Sequence, residues 1–186
     1  MNLKAGVAAA AAGTTALDAV GYLDMVVRGR PASDVPAEAA DELASRAGVD
    51  LGPGDVGDSR RAGLGALLGY AAGLGVGALY GLLPGERRPP LPVAALGLSF
   101  AAMAAGDIPL AALGVTDPRR WDAASWVSDL VPHLAYGLTT ALVYGHLTRP
   151  RPESGRRSFR HLVYGRRSRR HLTYGRRPRL RLALGR

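Results

Sequence analysis

The 186-residue chain contains no cysteine. Disulfides, thiolate catalysis and cysteine metal sites are therefore excluded. Lysine is nearly absent, while alanine, glycine, arginine and proline are abundant, a bias that points to a GC-rich genome. No motif for nucleophilic, acid–base or phosphate chemistry stands out, so no catalytic residue is assigned, and the chain reads as a non-enzyme. No cofactor is assigned either. A histidine among scattered aspartates is too little to define a metal site. His133 and His146 also lie too far apart along one helix to hold a haem between them.

One stretch lacks charge altogether. Ala62–Leu83 reads AGLGALLGYAAGLGVGALYGLL, about the length that spans a bilayer. Gly65, Gly69, Gly73, Gly77 and Gly81 recur at every fourth position. In water each would cost about 1 kcal/mol against alanine. In lipid the helix is held by its own backbone bonds, and a glycine ridge becomes a groove for close packing. The spacing predicts a glycine zipper with a packing face along the whole helix. Its partner is either an Ala-rich helix of the same chain or a second copy, which would make a homo-oligomer.

Three other stretches complete a predicted all-α polytopic fold. The spans are about 5–27, 62–83, 91–113 and 123–147, within a transmembrane domain of residues 1–148. The first opens on a run of alanines that resembles a signal-peptide core, but a single lysine precedes it and no leucine-rich core follows. Asp18 and Asp24 weaken it as an isolated span, because an acid at the membrane centre costs about 2.5–3.5 kcal/mol. Between the first two spans, Pro36 near a first turn marks a short interfacial helix to about Arg46. The following VDLGPGDVGDS reads as loop. In the third span, Pro109 should loosen the last turn. Trp121 and Trp126 flank the start of the fourth, at a headgroup level that favours tryptophan.

This topology gathers polar residues. The first span ends, the third ends and the fourth begins at one face of the bilayer. Asp18, Asp24, Asp107, Asp129 and His133 should share that half, with Tyr136 one turn further along the face of Asp129 and His133. Such residues serve as structural contacts, as an ion or proton pathway, or as a ligand or metal site. Two function classes stay open: a structural, assembly or scaffold protein, and a small proton, cation or solute transporter or channel.

The C-terminal region, 149–186, is different. It holds fourteen arginines and one acid. It carries +13 of a net +9, which leaves −4 for the rest. A ten-residue unit recurs as RRSFRHLVYG, RRSRRHLTYG and RRPRLRLALG. This composition predicts a disordered tail. Arg156, Arg157, Arg166, Arg167, Arg169, Arg170, Arg176 and Arg177 are its candidate anion contacts. Anionic lipid headgroups on the inner leaflet are the favoured partner and nucleic acid the alternative. The arginines also set the expected orientation, because a tail so basic resists translocation. Both termini are placed in the cytoplasm.

The Ala/Gly-rich spans and the segment TTALDAVGYLDM resemble the small four-helix inner-membrane proteins of high-GC bacteria. The resemblance covers roughly residues 3–147 and implies location without chemistry.

Overall fold

Asn2 starts the first helix by accepting the Ala5 N–H on its side-chain oxygen at 3.1 Å, a standard N-cap. The computed structural model describes residues 1–83 and 89–149. Its helices are α1 (Leu3–Arg28), α2 (Val35–Arg46), α3 (Gly54–Leu82), α4 (Leu91–Leu113) and α5 (Ala123–Leu147), with a 3-10 turn at Pro118–Arg120. The protein is all-α, with no strand among the described residues. Gly29 and Gly114 end α1 and α4 in the left-handed region, φ 62° and 78°, as C-terminal glycines do.

Four boundaries agree closely with the sequence reading, and one differs. α3 begins at Gly54, so half of the predicted loop VDLGPGDVGDS is helical. Pro53 occupies the N-cap position and Asp55 the first turn, where a carboxylate complements the helix dipole. The charged turns extend the helix beyond its apolar core. α4 continues through Pro109 to Leu113. The tail arginines, from Arg151 onward, and the turn residues Arg87 and Arg88 lie outside the described residues.

The four long helices run up and down. Asn2 N–H donates to Gly81 O at 2.6 Å, joining the start of α1 to the end of α3. At the opposite end Arg28 reaches Ser128 on α5, and Arg46 on α2 reaches Leu113 O on α4 at 3.4 Å. The end of α1, all of α2, the start of α3, the end of α4 and the start of α5 therefore meet at one pole, here called the loop end. The chain's first residues meet the close of α3 at the terminus end.

The interior is built from small side chains. Ala9, Ala10, Ser99, Tyr136 and Thr140 are fully buried, with Leu98 and Met103 the large aliphatics among them. Leu67, Val93, Phe100, Ile108, Val127, Leu138 and Leu142 face outward. α3 and α4 are long and apolar enough to cross a membrane. α1 carries Lys4, Asp18, Asp24 and Arg28, and α5 carries Asp129, His133 and His146, which lowers their hydropathy.

Candidate functional site

The glycine ladder divides among different neighbours instead of forming one face. A Cβ on Gly77 would stand 2.7 Å from Gly6 O, and one on Gly81 2.7 Å from Asn2 O. One on Gly73 would stand 2.6 Å from Thr14 Oγ1. These three glycines admit α1. Gly65 instead meets Pro36 of α2, and Gly69 has nothing within 4 Å among the described residues. The cause is geometric. Each step of four residues advances about 40° around an α-helix, so a straight ladder of five positions winds through about 160°. A straight neighbour meets only part of it.

Close approach recurs on α5. A Cβ on Gly13 would stand 3.0 Å from Tyr136 O, and one on Gly137 2.7 Å from Ser99 N. These glycines let α5 seat between α1 and α4.

The packing is uneven along the axis. Buried residues of α1 stop at Thr14, those of α4 stop at Met103, and those of α5 begin at Pro132. On α3, nothing between Gly65 and Gly77 is fully buried. Among α1, α4 and α5 the terminus half is tightly closed and the loop half looser, while Ala39, Ala40, Leu51, Gly57 and Gly65 are buried where α2 and its following loop meet α3.

Tyr136 stands at the boundary. It is fully buried, and its hydroxyl donates to Gly73 O at 2.7 Å. Around it lie Thr14 and Thr140, both buried; the Thr14 hydroxyl has no hydrogen-bond partner among the described residues. Ser99, also buried, donates to Ala95 O at 2.9 Å.

The predicted polar residues do lie in the loop half, but in separate groups. Asp18 accepts from Tyr70 Oη at 3.2 Å. Asp24 binds Arg28 at 2.7 Å and Arg30 at 2.6 Å. Asp107 lies within electrostatic reach of Asp129 and His133. His133 Nδ1 is 2.8 Å from Asp129 O and 3.3 Å from its carboxylate. A carbonyl only accepts, so Nδ1 carries the proton. His133 is thereby anchored to its own helix. Asp129 Oδ2 is buried with no partner among the described residues. Among the described residues no group of three or more His, Cys, Asp or Glu is arranged to hold a metal ion.

Sequence reasoning missed Tyr70 as the partner of Asp18 and missed the core hydroxyls. The signal for one of them was present: Thr140 follows Tyr136 by one helical turn on the same face.

At the loop end, Asp122 caps α5 and accepts Ser125 N–H at 2.7 Å. Hydrogen bonds from Ser125, its backbone N–H first, hold this carboxyl below the usual carboxylate range against a small desolvation cost. Trp121 and Trp126 pack edge to face, 5.0 Å between centroids. Trp121 Nε1 donates to Thr116 Oγ1 at 2.9 Å.

Comparison with protein-family models, curated proteins and solved structures returned no match.

Proposed function

We propose that this chain is an integral protein of the bacterial inner membrane, crossing it four times through α1, α3, α4 and α5, with a structural or assembly role. The distribution of side-chain size carries the reading. Small residues fill the bundle and large aliphatics coat it. In water that coat would be an apolar surface far beyond what a monomer tolerates. Against acyl chains it is at rest, and small interior residues are what membrane helices use to associate. Three of the acids in α1 and α5 have partners that make insertion bearable: Asp18 with Tyr70, Asp24 with two arginines, and Asp129 with His133. The closed terminus half favours a packing role over a through-pore. Gly69 is the ladder position left for a second copy.

The basic tail supports a topology with both termini in the cytoplasm, its arginines against anionic headgroups. The chain lacks cysteine, so single cysteines can be introduced directly. In intact cells an impermeant maleimide should label Asp50→Cys from outside, and Arg149→Cys only after lysis. Release of the protein by alkaline carbonate would sink the membrane reading.

A second reading, proton or cation passage, is favoured by one observation: Asp107, Asp129 and His133 come together in the loose half, one turn from Tyr136. Flux in liposomes that falls in Asp107→Asn or Asp129→Asn, with folding intact, supports it. Absence of flux from correctly inserted protein returns these residues to packing.

A further inference from the structure

We infer that the turn joining α4 to α5 binds the phosphodiester headgroup of an anionic membrane lipid. The inference rests on the membrane reading above and adds a site and a ligand class to it. The turn encloses an open depression of about 790 Å³, lined by Ala111, Thr116, Asp117, Arg119, Arg120 and Trp121 among others. Small-molecule sites commonly fall at roughly 300–1,000 Å³, so the space exceeds what a bare phosphate ion needs.

Two consecutive arginines, Arg119 and Arg120, lie on the 3-10 turn, and both line the depression. Their condition sets them apart from the other arginines at this end. Arg28 and Arg30 bind Asp24 at 2.7 and 2.6 Å, Arg46 binds Glu42 at 2.7 Å, and Arg61 binds Asp41 at 2.7 Å. Arg60 donates to Leu51 O at 2.9 Å. Arg120 approaches Asp117 only at 3.7 Å, with its side chain 87% exposed. Arg119 uses its backbone N–H, 3.1 Å from Asp117 Oδ1, and its guanidinium has no partner among the described residues. The Asp117 carboxylate is thus spent on the turn itself. Neither guanidinium is held at hydrogen-bond distance by a carboxylate among the described residues, and the guanidinium fork matches phosphate oxygens.

Position selects a lipid over a free phosphate. The depression lies at the end of α4, one of the two helices apolar enough to cross a bilayer. The Trp121–Trp126 pair stands beside it, and tryptophan favours the headgroup level. One turn down α4 from Ala111, Ile108 is 67% exposed and offers an apolar track for an acyl chain.

The chain has two tryptophans; Trp121 lines the depression and Trp126 packs against it. Intrinsic fluorescence therefore reports on it directly. The full-length protein in neutral maltoside micelles is titrated with dioctanoyl phosphatidylglycerol, with dioctanoyl phosphatidylcholine, and with inorganic phosphate. The proposal expects a saturable change with phosphatidylglycerol alone, weakened about five-fold in Arg119→Gln. The tail is common to both proteins, so its own lipid binding cancels from that comparison. Circular dichroism checks that the variant, altered at an exposed side chain, stays folded. A saturable Arg119-dependent response to inorganic phosphate at similar concentrations would replace the lipid with a soluble phosphate. No response to phosphatidylglycerol, or an equal one in Arg119→Gln, would overturn the site. The titration runs in micelles, so its failure is separate from a failure of membrane insertion, which carbonate extraction reads.

Discussion

Tyr136 on α5 donates its hydroxyl to the backbone carbonyl of Gly73 on α3, 2.7 Å away across the bundle. Gly73 leaves room beside this bond for Thr14 of α1: a Cβ there would stand 2.6 Å from Thr14 Oγ1 but at an ordinary 3.6 Å from the tyrosine ring. The same glycine lies in the ladder that admits α1. One residue therefore joins two packing events, and the bond sits where the closed half of the bundle meets the loose half.

Tyr136→Phe keeps the ring and removes the bond. Interhelical hydrogen bonds in membranes contribute about 0.6 kcal/mol on average, with a maximum near 1.7. A loss of about 1 kcal/mol is expected, because the abandoned carbonyl is left in the bundle interior. Equilibrium unfolding in mixed micelles at increasing dodecyl sulfate would measure it. An unchanged midpoint would mean the carbonyl finds another donor.

The divided ladder gives a comparison at one residue type. Gly77→Ala puts a methyl 2.7 Å from Gly6 O and against Ala10, where backbone cannot yield without moving a helix. A destabilisation of roughly 1–3 kcal/mol is expected, as for other overpacked cores. Gly69→Ala meets nothing within 4 Å among the described residues and should leave the monomer's unfolding midpoint unchanged or raised, because alanine is the better helix former. If Gly69→Ala shifts an oligomer to monomer on size exclusion, the open glycine serves a second copy.

The buried hydroxyl of Thr14 offers the opposite sign. It is 6% exposed, and its Oγ1 has no partner among the described residues. An orphaned buried hydroxyl carries its desolvation cost without return, on the order of 1–3 kcal/mol. Thr14→Val keeps the shape and removes the polar atom, so the same unfolding assay should show equal or greater stability. A clear loss would reveal that the hydroxyl is engaged.

These positions also mark how far the sequence was readable. The long helices over 5–27, 91–113 and 123–147 followed from apolar runs and the prolines around them, because those signals are local. That Asp24 pairs with Arg28 was legible from helical spacing alone. The division of the ladder was not, since it depends on which neighbour each turn of α3 meets. The Asp18–Tyr70 bond joins residues 52 apart in sequence, beyond any periodicity. The start of α3 was misread because helix-breaking Pro53 and Gly54 mask a helix they in fact begin.

Asp122 supplies the pH dependence. Its carboxyl is held below the ordinary range by hydrogen bonds from Ser125, its backbone N–H first. A depressed carboxylate contributes stability in full above its unfolded value, about 3.9. That contribution is lost as the pH falls through the lower folded value. The first turn of α5 should therefore loosen in acid below about pH 4. Trp121 precedes the cap by one residue and Trp126 lies in the first turns of the helix, so their fluorescence follows the event. Asp122→Asn keeps a capping oxygen of similar quality and removes the titration. In a scan from about pH 6 to 2, spanning the carboxylate range, the native protein should show a fluorescence transition that Asp122→Asn lacks. An identical transition in both would assign it to another carboxylate and leave the cap without a part in the acid response.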